Sequence, residues 1–201
     1  MSNNKHTDIL VIGSGPGGYA AAFRAADLGR EVTLVDKDPT LGGVCLNRGC
    51  IPSKTLLHIA KVLEEAESLK KMGVTFTKPT IDIDLVRDWK NKVVSQLSGG
   101  IGQMAKARKV NTIQAEATFL SDNEVQLKSE SSTEIITFDH CVIASGSSSS
   151  IIPGIPFDNE NVLTSKTALD LKKIPESLLV IGGGYIAVSY THLTLPTNRE
   201  V

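Results

Sequence analysis

The chain has 201 residues, of which 41% are hydrophobic and 21% charged, and its formal net charge is -1. This balance excludes a strongly basic nucleic-acid-binding surface and indicates a globular protein with one sizeable core or two small ones. The N-terminal residues are polar without a secretory signal pattern, and no apolar run is long enough to span a bilayer. We therefore expect a cytoplasmic protein with neither a nucleic-acid partner nor a membrane partner.

The N-terminal part of the chain reads as strand, glycine-rich loop, helix and strand. Residues 8–12 form a short apolar run that is typical of a parallel strand buried on both faces. The glycine-rich loop, residues 13–18, follows, and residues 19–28 are good helix formers. Residues 31–35 then predict a second strand, so the order of elements is that of a dinucleotide-binding unit.

Each glycine of the loop has a physical reason in such a unit, although an ordinary glycine turn is the alternative. Gly13 makes the tight turn, Gly15 lets the backbone approach a pyrophosphate, and Gly18 allows close packing of helix on strand. Asp36, at the end of the second strand, is expected to accept hydrogen bonds from ribose hydroxyls. Gly17 and Lys37 are expected to contribute to the same site.

Two cysteines follow that acid, in residues 41–54, Leu-Gly-Gly-Val-Cys-Leu-Asn-Arg-Gly-Cys-Ile-Pro-Ser-Lys. Cys45 and Cys50 are too far apart for a Cys-x-x-Cys motif, and neither a second cysteine pair nor a close histidine supplies the other ligands of a zinc site. In a cytoplasmic protein such a pair is more often catalytic or metal-binding than structural. If a helix begins in this segment, the two sulfurs can meet across its first turn and a half, where the helix dipole favours the thiolate.

Amphipathic patterns predict two longer helices. One covers residues 55–72 and ends near Gly73; the other covers residues 82–108 and is interrupted at Gly99-Gly100. Trp89 is expected to anchor the second helix in a core. The basic residues around it are expected to form a solvated face.

Short apolar runs follow, at residues 112–119, 124–128 and 134–143, and they predict a small antiparallel meander. Cys141 lies in the last run and is expected to be a buried, inert thiol. After a serine tract and a proline-containing linker, residues 177–181 predict another strand. Its glycine turn, residues 182–187, resembles the glycine-rich loop at residues 13–18. It should lead into a helix that stops soon after Ala187.

Taken together, these motifs closely resemble the flavin-dependent pyridine nucleotide-disulfide oxidoreductases, over residues 7 to about 187. The resemblance implies an α/β fold: a Rossmann-like FAD-binding domain, with a parallel sheet, helices and a small antiparallel meander, at residues 1–150. A linker at 151–176 and the truncated start of a second Rossmann-like domain, which binds NAD, at 177–187 would follow. Cys45 would exchange with the substrate disulfide, and Cys50, its disulfide partner, would pack against the flavin.

The resemblance also implies further cofactor contacts. For FAD they are Gly43, Lys54, Ala117, Ser145 and Gly146, and for NAD they are Gly182, Gly184 and Ala187. Residues 188–197 match the translation of a transposon-based sequencing adapter, so residues 188–201 are expected to be a non-native tail. The chain as written would then lack most of the NAD domain and a C-terminal interface domain, and would be inactive alone.

Leu46 and residues 51–54 favour the family members that oxidise dihydrolipoamide carried on a lipoyl domain, with NAD as electron acceptor. Such members are expected to be homodimers at full length. Mercuric reductases share much of the cysteine motif and are the main enzymatic alternative. The alternatives to an enzyme are a non-catalytic fragment that binds flavin and a fragment that binds nothing.

Overall fold

The computed structural model describes residues 5–193, so residues 194–201 of the expected non-native tail lie outside the described residues. The strands in that part of the chain are β1 (Lys5–Ile12), β2 (Val32–Asp36), β3 (Asn111–Gln114), β4 (Glu116–Phe119), β5 (Glu124–Lys128) and β6 (Thr133–Ile143). The α-helices are α1 (Pro16–Asp27), α2 (Gly43–Arg48), α3 (Cys50–Ser68), α4 (Ile83–Ala107), α5 (Ser165–Ala168) and α6 (Tyr185–Leu193). None of the helices described here combines the length and the apolarity needed to cross a membrane.

The chain divides into two compact units, Met1–Asn47 with Ser95–Ser148 and Arg48–Val94 with Ser149–Val201. The first unit contains the sheet, whose strand order is β3-β2-β1-β6-β5-β4. Strands β3, β2, β1 and β6 are mutually parallel, whereas β5 pairs antiparallel with β6, and β4 pairs antiparallel with β5. This mixed sheet, with α1 connecting β1 to β2, confirms the predicted Rossmann-like α/β fold with its antiparallel meander.

The prediction of one strand over residues 112–119 is wrong, because the run divides at Ala115. On one side β3 pairs with β2, and on the other side β4 pairs with β5. The buried Ala115 donates its backbone N–H to the Asp36 carbonyl, at 2.9 Å, and the chain turns there from one sheet edge to the other. Alternating hydrophobicity is the same in both strands, so the pattern cannot reveal the change of partner.

The two edges of the sheet therefore come together, and β4 also contacts β2. The space between the parallel and antiparallel parts holds the core of this unit, made of Leu10, Val35, Ala115, Val125, Leu127, Ile136 and Phe138. Each of the larger side chains contributes about 1.5–3 kcal/mol by leaving water. The sheet is thus stabilised by apolar packing in which Ala115 takes part.

Helix α4 differs from its prediction in two ways. It is continuous through Gly99 and Gly100, because two glycines cost only about 1 kcal/mol each relative to alanine and the buried Ile101 and Ala105 hold the following turns. Trp89 is not a core anchor, since 54% of it is exposed. The adjacent Lys90 is buried in its place. The helix predicted over residues 55–72 corresponds to α3, which begins earlier, at Cys50, and ends at Ser68; a 3₁₀ turn, Leu69–Met72, and a left-handed Gly73 then end the helical segment at the predicted place.

In the second unit, cations of α4 bind the backbone carbonyls that follow α5. Lys90 Nζ donates to the Leu169 carbonyl at 2.6 Å, and Arg87 Nε donates to the carbonyls of Asp170 and Leu171 at 3.1 and 3.2 Å. Burial lowers the pKa of the Lys90 ammonium, while the charge of Asp170 acts in the opposite direction. These side chains donate hydrogen bonds to carbonyls that would lack a partner at the C-terminal end of α5.

The strand predicted over residues 177–181 is not formed in the described part of the chain. Leu179 and Ile181 are 85% and 69% exposed, because an apolar run becomes a strand only where a neighbouring strand pairs with it. The glycine turn does lead into α6, as expected. That helix continues past Ala187, contrary to prediction, and the Tyr190 hydroxyl donates to the Ser165 carbonyl.

Lys90 and Lys92 form a matched pair of substitutions on one helix. We expect Lys90→Ala to lower the free energy of unfolding by about 1–3 kcal/mol, because it removes a charge-assisted hydrogen bond to a buried carbonyl. Lys92 is exposed, so Lys92→Ala should change that free energy by no more than about 0.5 kcal/mol. Urea unfolding followed by circular dichroism measures both, and equal effects would contradict the role given to Lys90.

Candidate functional site

The loop after β1 is shaped by backbone packed directly on backbone. Gly13 has a φ of +100°, and a Cβ placed on it would come within 2.2 Å of the Ala144 carbonyl oxygen. A Cβ on Gly18 would lie 1.7 Å from the Gly13 carbonyl oxygen. No residue with a side chain fits at either position, so the end of β1, the start of α1 and the end of β6 meet as closely as their backbones allow.

Gly15 and Gly17 lie in a different environment. The nearest atom to a Cβ built on Gly15 is Gly43 Cα at 3.9 Å, and for Gly17 it is Ala144 Cβ at 4.0 Å. The packing of the chain therefore does not require glycine at these two positions. Gly15 is the N-cap of α1 and provides no capping side chain, and the first turn carries no acidic residue. The first-turn amides are thus available to an anion that approaches the backbone closely.

Asp36 reaches the loop from the end of β2. Its Oδ2 accepts hydrogen bonds from the backbone N–H and the hydroxyl of Ser14, both at 2.6 Å, and its Oδ1 accepts from the Asp38 N–H at 3.0 Å. The acid predicted to face a ribose is therefore oriented by the loop itself, and its contact with ribose stays a prediction. Lys37 is exposed, and its carbonyl accepts a hydrogen bond from the Gln114 amide.

The start of the cysteine motif packs against the same loop. The Gly42 N–H donates to the Ser14 carbonyl at 2.9 Å. Gly43 has a φ of +60°, and a Cβ on it would lie 2.5 Å from Gly15 Cα. Helix α2 begins at Gly43 and carries the half-buried Cys45 within its first turn, two residues after the glycine that contacts the loop.

The end of β6 completes this group of residues. The Ala144 N–H donates to the Ile12 carbonyl at 2.7 Å, and Ser145 Cα lies 3.1 Å from the Cβ position of Gly13. Gly146 follows with a φ of +68°. Ala117, predicted to contact the flavin nucleotide, lies in the β4–β5 ladder opposite Leu127 and packs against the core.

The remaining predicted site residues belong to the second unit. Cys50 is the first residue of α3 and is exposed, and Lys54 is exposed one turn later. Gly49 separates α3 from α2, so the cysteine segment forms two helices, with Cys45 in the first unit and Cys50 in the second. Their pairing stays a prediction. Gly182 and Gly184 form the turn before α6, which contains Ala187, and their binding of NAD stays a prediction as well.

Cys141 is half-buried rather than fully buried, because its position on β6 lies at the margin of the core. Burial raises the pKa of its thiol, which reduces the thiolate fraction at neutral pH and agrees with an inert role.

Sequence reasoning missed Ser14. Ser14 is completely buried and contacts both Asp36 and Gly42. The only signal was a small polar residue between two loop glycines, which composition alone cannot distinguish from a spacer.

A parallel strand, a glycine-rich loop that exposes helix amides, and an acid on the next strand define a dinucleotide-binding domain of the Rossmann-like class. A family model described as pyridine nucleotide-disulphide oxidoreductase matches residues 7–196. The chain belongs to this family of oxidoreductases, which use FAD and NAD(H).

Similar proteins agree with that assignment. Dihydrolipoyl dehydrogenase of Vibrio cholerae is 46% identical over 188 residues, covering 94% of this chain and 40% of the relative. The Bacillus subtilis dihydrolipoyl dehydrogenase is 48% identical over 180 residues, covering 90% of this chain and 38% of the relative. The copper(II) complex of the HOCl-induced flavoprotein disulfide reductase RclA from Escherichia coli matches with a TM-score of 0.79 and 27% identity, covering 94% of this chain and 40% of that one. The chain thus spans about 40% of the length of the relatives named here.

Gly43→Ala tests the contact between α2 and the loop. The new Cβ would lie 2.5 Å from Gly15 Cα in a left-handed backbone conformation, so we expect a loss of about 2 kcal/mol or more in the free energy of unfolding. Gly102→Ala is the control, because its Cβ meets nothing within 4 Å and alanine favours the helix by up to about 1 kcal/mol. Denaturant unfolding of both variants without added nucleotide is the measurement, and an unchanged Gly43→Ala midpoint would contradict the contact.

Proposed function

We propose that the chain is the FAD-binding part of a disulfide oxidoreductase that oxidises dihydrolipoamide and reduces NAD. The main support for the proposal is that two of the loop glycines are required by the packing of the chain, whereas the other two are not. Gly13 and Gly18 are explained by the chain's own packing, whereas Gly15 and Gly17 leave open backbone at the N-terminus of α1. A diphosphate pressed against those amides accounts for glycine there.

The residues around the loop fit the remaining parts of FAD. The backbone amides of Gly17 and Gly18 would bind the pyrophosphate, and Asp36, with its adjacent Lys37, would bind the adenosine ribose. Further contacts are proposed for Gly43, Lys54, Ala117, Ser145 and Gly146. When bound, FAD supplies the two-electron chemistry that returns the cysteine pair to the disulfide and reduces NAD.

The thiol chemistry is assigned to Cys45 and Cys50. A thiolate of dihydrolipoamide attacks the Cys45 sulfur of the disulfide, which forms a mixed disulfide and releases the Cys50 thiolate. The second substrate thiol, after losing its proton, attacks the substrate sulfur of the mixed disulfide. This step closes lipoamide and releases the Cys45 thiolate, so two electrons have passed from the substrate to the cysteine pair and two protons have left the substrate thiols.

The wider assignment follows from the relatives' names and from the cysteine motif. The proposed substrate is dihydrolipoamide on a lipoyl domain, with Gly182, Gly184 and Ala187 contributing to the NAD site in a cytoplasmic homodimer. Mercuric reduction is the second candidate, because that activity uses a similar cysteine motif; the dihydrolipoyl dehydrogenases at 46% and 48% identity favour the first.

Flavin binding is tested with Gly15→Val. We expect the chain to bind FAD, and Gly15→Val to weaken binding by roughly a hundredfold or more, because the side chain blocks approach to the loop backbone. A Cβ at Gly15 meets only Gly43 Cα, at 3.9 Å, and valine is a poorer N-cap than glycine, so the free energy of unfolding without flavin should fall by no more than about 1 kcal/mol. Gly102→Ala is the control, and titration by quenching of flavin fluorescence is the measurement. Absence of binding by the unmodified chain, or unchanged binding by Gly15→Val, would reject the site.

The oxidation is tested on the full-length protein with dihydrolipoamide and NAD. Replacing Cys50 by serine should abolish NADH production while FAD stays bound, because serine cannot form the disulfide. Cys141→Ser is the matched control and should retain most activity, since that thiol has no place in the exchange. Absence of NADH production by the unmodified protein, with turnover of mercuric ion instead, would replace the first candidate by the second.

A further inference from the structure

Ser14 connects three segments of the first unit. It is completely buried, and its backbone N–H and hydroxyl both donate to Asp36 Oδ2 at 2.6 Å. Its carbonyl accepts from the Gly42 N–H at 2.9 Å. One residue therefore links the glycine-rich loop to the end of β2 and to the start of the cysteine-bearing helix α2.

The hydroxyl of Ser14 adds a second hydrogen bond to the carboxylate oxygen that the Ser14 backbone N–H already binds. Two donors on the same carboxylate oxygen form short, charge-assisted hydrogen bonds, and the Asp38 N–H holds the other oxygen at 3.0 Å. Asp36 is thereby fixed in rotation as well as in position. If the hydroxyl is removed, Oδ2 keeps one of these two donors and the carboxylate gains freedom to turn.

The neighbouring contact extends this arrangement toward Cys45. Gly43 packs on Gly15 so closely that a Cβ on Gly43 would lie 2.5 Å from Gly15 Cα, and the hydrogen bond from Gly42 to Ser14 lies beside that contact. A shift of the loop at Ser14 must therefore move Gly15 against Gly43. The start of α2, two residues before Cys45, rests on the position of the loop.

We propose that Ser14 is a positioning residue for the adenosine diphosphate part of FAD, acting through Asp36 and the loop backbone. This inference rests on the proposed flavin site. The Ser14 hydroxyl holds the Asp36 carboxylate in the orientation that binds the ribose. It also keeps the loop amides aimed at the diphosphate, while the Ser14 carbonyl seats α2.

A double-mutant cycle measures the link between the two side chains. Ser14→Ala should weaken FAD binding roughly tenfold, the scale of one hydrogen bond to a charged group. Asp36→Asn should weaken it at least as much. The double variant should bind about as well as Asp36→Asn alone, because the hydroxyl acts through the carboxylate. Ser121→Ala, which removes an exposed hydroxyl in the same unit, should leave the affinity unchanged.

A second measurement is made without flavin. Ser14→Ala should raise the hydrogen-exchange rate of the amides in residues 13–18 relative to Ser121→Ala, because the loop loses a buried hydrogen bond. If Ser14→Ala does not fold, Ser14→Gly removes the same hydroxyl and replaces it in both measurements.

The outcomes separate the two proposals. Failure of the unmodified chain to bind FAD would reject the flavin site, and with it the positioning role, whatever the exchange rates. Binding by the unmodified chain with no loss in Ser14→Ala, or with additive losses in the double variant, would reject the positioning role alone. Tenfold loss, non-additivity and faster exchange together would support it.

Discussion

Direct contact between backbones at the end of β1 is the constraint on which the rest of the first unit depends. Gly13 and Gly18 bring the strand, the helix and the end of β6 closer than any side chain permits. Because that contact sets where α1 begins, it also sets where the first-turn amides point. Gly43 extends the same packing to α2 and so to Cys45. A single steric requirement therefore positions both the candidate nucleotide site and one candidate redox thiol.

The two units are stabilised by different interactions. The first has an apolar core between the parallel and antiparallel parts of its sheet, and its buried Ser14 is satisfied by Asp36. In the second, Arg87 and Lys90 bind the carbonyls that follow α5. Apolar burial is non-directional, whereas cation–carbonyl hydrogen bonds fix both distance and direction. The segment that leads toward the second glycine turn is thus held in part by directional contacts with α4.

Local sequence patterns correctly predicted those elements that pack against segments next to them in the sequence. The β1–loop–α1–β2 unit and the stop at Gly73, which follows α3 and its 3₁₀ turn, belong to this group. The errors concern long-range partners: residues 112–119 divide between two sheet edges, Trp89 faces solvent while Lys90 is buried, and residues 177–181 form no strand. Hydrophobic periodicity predicts that a side chain is buried, but it does not identify the segment that packs against it. The glycine pair of α4 shows the converse, since tertiary packing at Ile101 overrides a weak local preference.

Glycines in this motif are needed for two different reasons, packing of the chain on itself and access of a ligand to the backbone. The spacing of the motif does not show which reason applies to which glycine. At Gly13, Gly18 and Gly43 an added Cβ would strike backbone of the chain itself, so these glycines are needed for folding whether or not a ligand binds. At Gly15 and Gly17 an added Cβ would meet ordinary contacts at most, so folding leaves these glycines unexplained. Glycines without an internal packing reason also lie inside α4, at Gly99, Gly100 and Gly102, so openness alone does not indicate a ligand; Gly15 and Gly17 differ because they lie at helix amides that lack an intrahelical partner. At the N-terminus of a twelve-residue helix such amides favour an anion, which is the ligand proposed above. The position of these two glycines therefore supports the proposed phosphate-bearing ligand alongside the family to which the chain belongs.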